Sequence, residues 1–309
     1  MTEIVSTAMR PGRSATSEMV RRLPEFLVIW VPLLLSAAHL ISFSIWTIWI
    51  SFTPSTLIPV SGWVGLRNYT SVLNSRNWQV AFDNLLLFGI AFVLFSLFTG
   101  LVLAILLDQR IRAENVLRSI FLYPLAVSFV VTGTVWSWLL NPGIGIEKLV
   151  HDLGWMSFKF DWLVNRDMAI WTIVIAAVWQ SSGFAMALFL AGLRSVDADI
   201  IRAAQIDGAG PIRTYWRVIL PTLWPITITV IVIQLQFAIS AFDLVRALTN
   251  GGPGIATQLP ALVVYDLMFQ RSQLGRGAAA AVLMLLILLA VLLPYAAWRY
   301  VQRRQATHA

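Results

Sequence analysis

Long stretches of this chain carry no charge. Residues 84–107, 119–146, 168–193, 218–242 and 277–298 contain no Asp, Glu, Lys or Arg. About 20 apolar residues cross a bilayer as a helix, and each stretch is long enough. A sixth run, 26–52, follows Arg21 and Arg22. It is 27 residues long, whereas a signal-peptide core spans about 7–15, so we read it as a retained first span. The pattern predicts an all-α membrane protein with six transmembrane helices and both termini on one side.

The basic residues choose that side. The N-terminal tail, 108–118, 194–217 and the C-terminus hold 14 of the 22 Lys and Arg; the loops 53–83, 142–167 and 243–276 hold eight. Basic residues are retained on the cytosolic side, so both termini and the 194–217 loop are expected there. Four segments follow: a cytosolic tail at 1–22, a first helix and outer segment at 23–80, a transmembrane domain at 81–300 and a cytosolic end at 301–309. The tail is polar and is expected to be disordered. Pro54, Pro59, Pro142-Gly143, Gly251-Gly252-Pro253 and Pro260 mark outward turns. Trp63, Trp78, Trp138, Trp155 and Trp162 are expected as interface anchors. Small residues from Gly275 to Ala281 permit close helix approach, for packing or gating.

Composition agrees with a membrane protein: 58% of residues are hydrophobic and 12% charged, against about 25% charged in soluble domains. The net charge of +7 is no nucleic-acid stripe, because the basic residues sit at the ends of apolar runs. The chain has no cysteine, which excludes disulfides, thiol catalysis and Cys-based metal sites. A phosphate loop needs Gly-x4-Gly-Lys-Ser/Thr. The only lysines, Lys148 and Lys159, do not follow a glycine. The spans hold no carboxylate, Lys or Arg for proton coupling; His39 is the one ionisable exception, and a satisfied or interfacial histidine fits it better than a relay.

One cytosolic loop is shaped to be gripped. Asp197-Ala198-Asp199 precedes Ile200-Ile201-Arg202-Ala203-Ala204-Gln205-Ile206. Acidic residues at the start and apolar residues at helical spacing predict a short amphipathic helix. Asp207-Gly208-Ala209 should close it with a left-handed glycine. Pro211 can begin the next turn, and Tyr215, Val218 and Leu220-Pro221 lead into the fifth run. Such a helix docks in a partner's groove; the competing reading is a helix lying on the membrane surface.

The spacing resembles the coupling motif of binding-protein-dependent ABC importer permeases, in loosest form Glu-Ala-Ala-x3-Gly-x9-Ile-x-Leu-Pro. Six spans in this order are similar to the type-1 importer core. Trp63-Val64-Gly65-Leu66-Arg67-Asn68-Tyr69, Phe121-Leu122-Tyr123-Pro124 and Leu248-Thr249-Asn250-Gly251-Gly252-Pro253-Gly254 resemble the maltose-type, carbohydrate-uptake class. Trp138-Leu139-Leu140-Asn141-Pro142-Gly143 and Ala176-Ala177-Val178-Trp179-Gln180 resemble a glucose/mannose-type branch. The resemblance covers nearly everything after residue 25. It implies ATPase coupling through Arg202, Ala203, Ala204, Asp207, Gly208 and Ala209. Arg202 stands where the family has Glu, so the family's acidic contact does not carry over there.

A sugar path needs hydrogen-bonding groups and flat apolar faces. The spans offer Gln180, Ser181, Ser182, Gln234, Gln236 and Ser240, with Phe129, Trp179, Phe184 and Phe237 able to stack on a ring. The maltose-type pocket, carried over by resemblance, implies Leu125, Phe129, Gln180, Ser181, Phe184, Gln234, Phe237 and Ala241. Each also has a packing role open to it, and a second permease is the alternative home for most of the site. The implied protein is an inner-membrane permease subunit of a sugar importer, not itself an enzyme. The implied partners are a second homologous permease, two ABC ATPase subunits holding ATP and Mg, an extracytoplasmic solute-binding protein, sugar and lipid, and no nucleic acid. A polyol or glycerol-phosphate importer of the same architecture is the runner-up. A secondary transporter or a membrane enzyme lacks the groups it would need.

Overall fold

The computed structural model describes residues 15–109 and 112–308. Most of the expected tail therefore lies outside the described residues. The chain divides into two units at Trp49/Ile50. The first is one helix, α1, Ala15–Ser51, which runs on to Ser51. It starts ahead of residue 23, because Ala, Glu, Met, Arg and Leu in 15–27 are strong helix formers. Its apolar side chains from Val28 to Trp49 are largely exposed, and His39 lies tilted against Phe43 at 4.4 Å between rings.

The second unit is wholly helical among the described residues. In order it has α2 (Arg67–Leu73), α3 (Arg76–Asp108), α4 (Glu114–Ala126), α5 (Phe129–Leu139), α6 (Ile146–Asp152), α7 (Ala169–Ser195), α8 (Ala198–Ile206) and α9 (Pro211–Thr214). A π turn, Tyr215–Ile219, leads to α10 (Leu220–Thr222), α11 (Trp224–Ile239), α12 (Phe242–Leu248) and α13 (Pro260–Tyr265). A second π turn, Asp266–Gln270, precedes α14 (Leu274–His308).

Four helices are long and apolar enough to cross a membrane, and six spans result if each of two bent pairs is one span. The bent pairs fall in the runs at 119–146 and 218–242, each of which is expected as one span. α4 and α5 meet at 98°. Pro124 lies inside α4, and Val127 and Ser128 adopt extended backbone, with ψ 138° and 147°. Ser128 Oγ then caps α5 by accepting from the Val131 N–H at 3.2 Å, as N-cap serines do. The second pair bends by 60° between the π turn with α10 and α11. Pro225, in the first turn of α11, lacks the N–H that would continue the helix.

α7 is the spine. It runs beside α3, the most extensive pairing, and packs also on α4 and α11. One half of the core gathers Phe88, Phe92, Ile173, Leu244 and Leu262. The other gathers Leu107, Met186, Phe189, Leu223 and Val230. Where α7 crosses α4, a Cβ on Gly183 would lie 1.9 Å from the Phe121 carbonyl oxygen, so only glycine lets the two backbones meet.

At one end of the bundle, Asn68 Nδ2 donates to the carbonyls of Ser51 at 2.9 Å and Thr53 at 2.8 Å, and Phe52 stacks on Trp63 at 4.8 Å. The Trp63–Tyr69 motif is thus a structural seat. Ala278, Ala279 and Ala280 are buried within the chain, as packing requires. Trp78 is not an interface anchor. It is 4% exposed, packed with Val72, Ala81, Val263 and Ala280, because the first turn of α3 points it into the bundle. Trp63, Trp138 and Trp155 are exposed.

Candidate translocation and coupling sites

The eight expected path residues come together. Leu125, Phe129, Gln180, Ser181, Phe237 and Ala241 line one cavity of about 20 Å³. Phe184 meets Phe237 edge-on at 6.2 Å, and Phe129 does so at 6.5 Å. Gln234 Nε2 donates to Ser181 Oγ at 3.4 Å, and Ser181 Oγ lies 3.2 Å from Ser96 Oγ. Gln180 Nε2 donates to the Val127 carbonyl at 2.7 Å. That carbonyl is released by the α4–α5 break, and lipid offers it no donor. The amide oxygens of Gln180 and Gln234 are buried without a hydrogen-bond partner in the chain. An unpaired buried acceptor costs about 1–3 kcal/mol.

Other expected residues do not join them. Trp179 follows Val178 around α7, and its ring meets Trp136 edge-on at 5.9 Å. Trp179 and Ser182 line a separate apolar groove of about 1020 Å³ with Phe95, Trp136 and Trp171. Gln236 is exposed, and Ser240 Oγ donates back to its carbonyl at 2.7 Å. Ser96 was missed, since a lone serine in a charge-free run gives no signal of which face it takes.

The loop after α7 has the local geometry its spacing implies. Asp197 Oδ1 accepts from the Asp199 N–H at 2.9 Å and caps α8. The N–H groups of Asp207, Gly208 and Ala209 return to the carbonyls of Ala203, Gln205 and Ala204, each at 3.0 Å. Gly208 has φ +78°, the left-handed closure that glycine supplies. Ala203 is exposed, Ala204 half-buried, and Ile206 is 86% exposed. An amphipathic helix therefore presents small and apolar side chains that the described residues leave uncovered.

Arg202 Nη1 pairs with Asp199 Oδ1 at 2.8 Å, one helical turn away, and both side chains are largely exposed. Exposed pairs of this kind contribute about 0–1 kcal/mol. We expect Arg202→Ala to lower transport with the native ATPase only modestly. Arg202→Glu should lower it further, because it sets two like charges a turn apart and reverses the surface offered to a partner. Transport by Arg202→Glu at or above wild type would show that this charge is not matched to a partner.

Beneath the loop lies a cluster the sequence did not reveal. Arg194, in the last turn of α7, reaches Glu114 Oε1 at 2.6 Å and Asp108 Oδ1 at 3.8 Å. Gln109 Nε2 donates to the Tyr215 hydroxyl at 3.5 Å. The ends of α3, α4 and α7 and the first π turn are thereby tied at the root of α8. These charges merely bound apolar runs in the sequence, and only the fold pairs them.

A helical bundle with bent spans, a projecting amphipathic loop and a small, mainly apolar interior cavity is the architecture of an ABC transporter permease. The family model described as binding-protein-dependent transport system inner membrane component matches residues 96–307, and the chain belongs to this family. It is a multi-pass membrane protein and a transport component rather than an enzyme. It is 37% identical to a probable ABC transporter permease protein of Pyrococcus horikoshii, across 90% of this chain and 96% of the other. It is 36% identical to a xylose/arabinose import permease protein of Haloferax volcanii, across 77% and 75%. It is 29% identical to an sn-glycerol-3-phosphate transport system permease protein of Pectobacterium atrosepticum, across 91% and 97%. Its fold matches a chain in the crystal structure of a bacterial alginate ABC transporter in complex with an alginate pentasaccharide-bound periplasmic protein. That match has a TM-score of 0.76 at 18% identity, covering 91% of this chain and 95% of the other.

Proposed function

We propose that this chain is a permease subunit of an inner-membrane importer for an uncharged sugar, with both termini cytosolic. A second homologous permease completes the path. Two ATPase subunits, which hold ATP and Mg, grip the 194–217 loop, and an extracytoplasmic solute-binding protein delivers the sugar. The observation that carries this reading is the cavity between α3, α4–α5, α7 and α11–α12. Gln180 and Ser181 stand among aromatic and aliphatic side chains in its lining, and no cationic side chain lines it. A sugar presents hydroxyl donors and flat apolar faces to such walls. A phosphate ester would call for Arg or Lys, so the glycerol-phosphate reading is the weaker one.

The cavity holds about one water at its present size. The path on this subunit's side is therefore shut in this conformation. Opening it requires α5 and α11 to part around Phe129 and Phe237. In the proposed cycle, ATP closes the ATPase pair, the docking loops follow as rigid bodies, and the spans open outward.

The assembled complex should take up sugar only with ATP and binding protein present. The isolated chain should neither hydrolyse ATP nor accumulate sugar under a proton gradient. Robust gradient-driven uptake by the isolated chain would sink the proposal in favour of a secondary transporter. Single cysteines test the orientation: Ser61, Met156 and Ala256 should label from outside intact cells, and Gln305 should not. Labelling of Gln305 from outside would overturn the six-span arrangement.

A further inference from the structure

Both feet of the docking loop stand on one corner of the bundle. Arg194, just ahead of the α8 cap at Asp197, reaches Glu114 Oε1 at 2.6 Å and Asp108 Oδ1 at 3.8 Å. Tyr215, where the loop re-enters the bundle, receives the Gln109 amide at 3.5 Å. Asp108 ends α3 and Glu114 opens α4. Each charge suits its own helix end, since an arginine in a last turn and a glutamate in a first turn complement the helix dipole unaided. The contact between Arg194 and Glu114 goes beyond that. It joins two helix ends that lie 80 residues apart in the chain.

α4 is fastened to α7 at three levels. Gln180 Nε2 holds the Val127 carbonyl at 2.7 Å. At Gly183 the two backbones meet beside Phe121. Arg194 grips Glu114 beyond that crossing, about 10 Å from Phe121 along α4. A single crossing leaves a helix free to pivot, and a second fixed point removes that freedom. Leu117, Phe121 and Leu122 pack against the cluster that holds Phe189 and Leu193. Those apolar contacts keep the helices together, because a partly exposed ion pair adds little to stability. Past the bend the neighbours change. α5 packs chiefly on α12, and a Cβ on Gly133 would lie 2.8 Å from the Leu244 carbonyl oxygen. The cavity takes Leu125 from α4 and Phe129 from α5, so the angle between the two halves bears on its width.

We propose that Arg194 is a positioning residue for transport. With Glu114 it locks the angle of α4 to the root of α8, so that a displacement of the docking loop turns α4 and arrives at Leu125 on the cavity wall. Without the pair, α4 pivots at Gly183 and part of the loop's motion is lost before the bend. The assignment rests on the functional reading above.

The test uses the assembled complex in proteoliposomes. The probe is the radiolabelled monosaccharide that the binding protein retains, and the readout is ATP hydrolysed per sugar taken up. Arg194→Gln and Glu114→Gln should each raise that ratio about threefold. The double variant should raise it no further than either single one, because both remove the same link. Arg194→Lys, which keeps the charge, should stay nearer wild type than Arg194→Gln. ATPase co-purification and unfolding temperature should be unchanged in all of them. Lys148→Gln removes the exposed Lys148–Asp152 pair on α6 and should leave the ratio as it is. An unchanged ratio in the Arg194 and Glu114 single variants would overturn the assignment, as would single effects that multiply in the double variant. An equal rise with Lys148→Gln would do the same. Loss of ATPase co-purification in Arg194→Gln would place this residue in the docking surface instead. A wild-type complex that hydrolyses ATP without accumulating the sugar would overturn the functional proposal and this one together.

Discussion

Gly183→Ala is expected to cost more folded protein than any other single methyl added to this chain. Its Cβ would meet the Phe121 carbonyl oxygen at 1.9 Å and the Phe121 carbonyl carbon at 2.7 Å. Both are backbone atoms, so no side chain can swing aside. α4 and α7 must separate, and overpacking of this kind costs about 1–3 kcal/mol or more. The displacement also falls a turn from Gln180, whose amide holds the Val127 carbonyl at the bend. Detergent-purified Gly183→Ala should show lower yield and a lower unfolding temperature than wild type. An unchanged unfolding temperature would mean that the α4–α7 crossing is looser than described.

The second large effect is expected at Gly208, and its cause differs. Nothing lies within 4 Å of a Cβ placed there, so crowding is not at issue. The constraint is φ +78°, which a β-branched residue reaches at a cost of roughly 1–3 kcal/mol. Gly208→Val should therefore remodel the end of α8 and weaken ATPase association about five- to a hundredfold. Folding of the membrane core should be unaffected. Gly208→Asn, which tolerates the left-handed region, should retain most coupling. Co-purification with the ATPase and sugar-stimulated hydrolysis measure both. Normal assembly and stimulation in Gly208→Val would end the docking assignment.

The contrast between these glycines shows what the sequence could convey. Gly208 was legible because its conformation is local: Asp-Gly after an amphipathic run announces a helix end. Gly183 was not, because its constraint comes from Phe121, far away in the chain, and nothing beside it in sequence marks the crossing. The apolar runs located the spans, since lipid demands uninterrupted hydrophobicity. They could not reveal that two of them bend. Pro124 and Pro225 allow a bend, but the 98° angle depends on Gln180 being at hand to accept its consequences. Trp78 was misjudged for a similar reason: a tryptophan near a helix end suits either an interface or a core, and α13 and α14 decide between them. The path residues were named through family resemblance, and the fold gathers them around one cavity while turning Trp179 away. Arg194, Glu114 and Asp108 each look like ordinary boundary charges until three helix ends are brought together.

The Gln180 amide has a bearing on how such a permease can change its cargo. Its nitrogen is committed to Val127, and its oxygen is buried without a hydrogen-bond partner. Ser181, Phe129, Phe184 and Phe237 carry no comparable obligation to the backbone. A lineage drifting toward a new solute can therefore vary those positions one at a time. Position 180 is different, because losing its amide would leave the Val127 carbonyl stranded at the bend. The cavity thus contains one fixed point around which specificity can be rewritten.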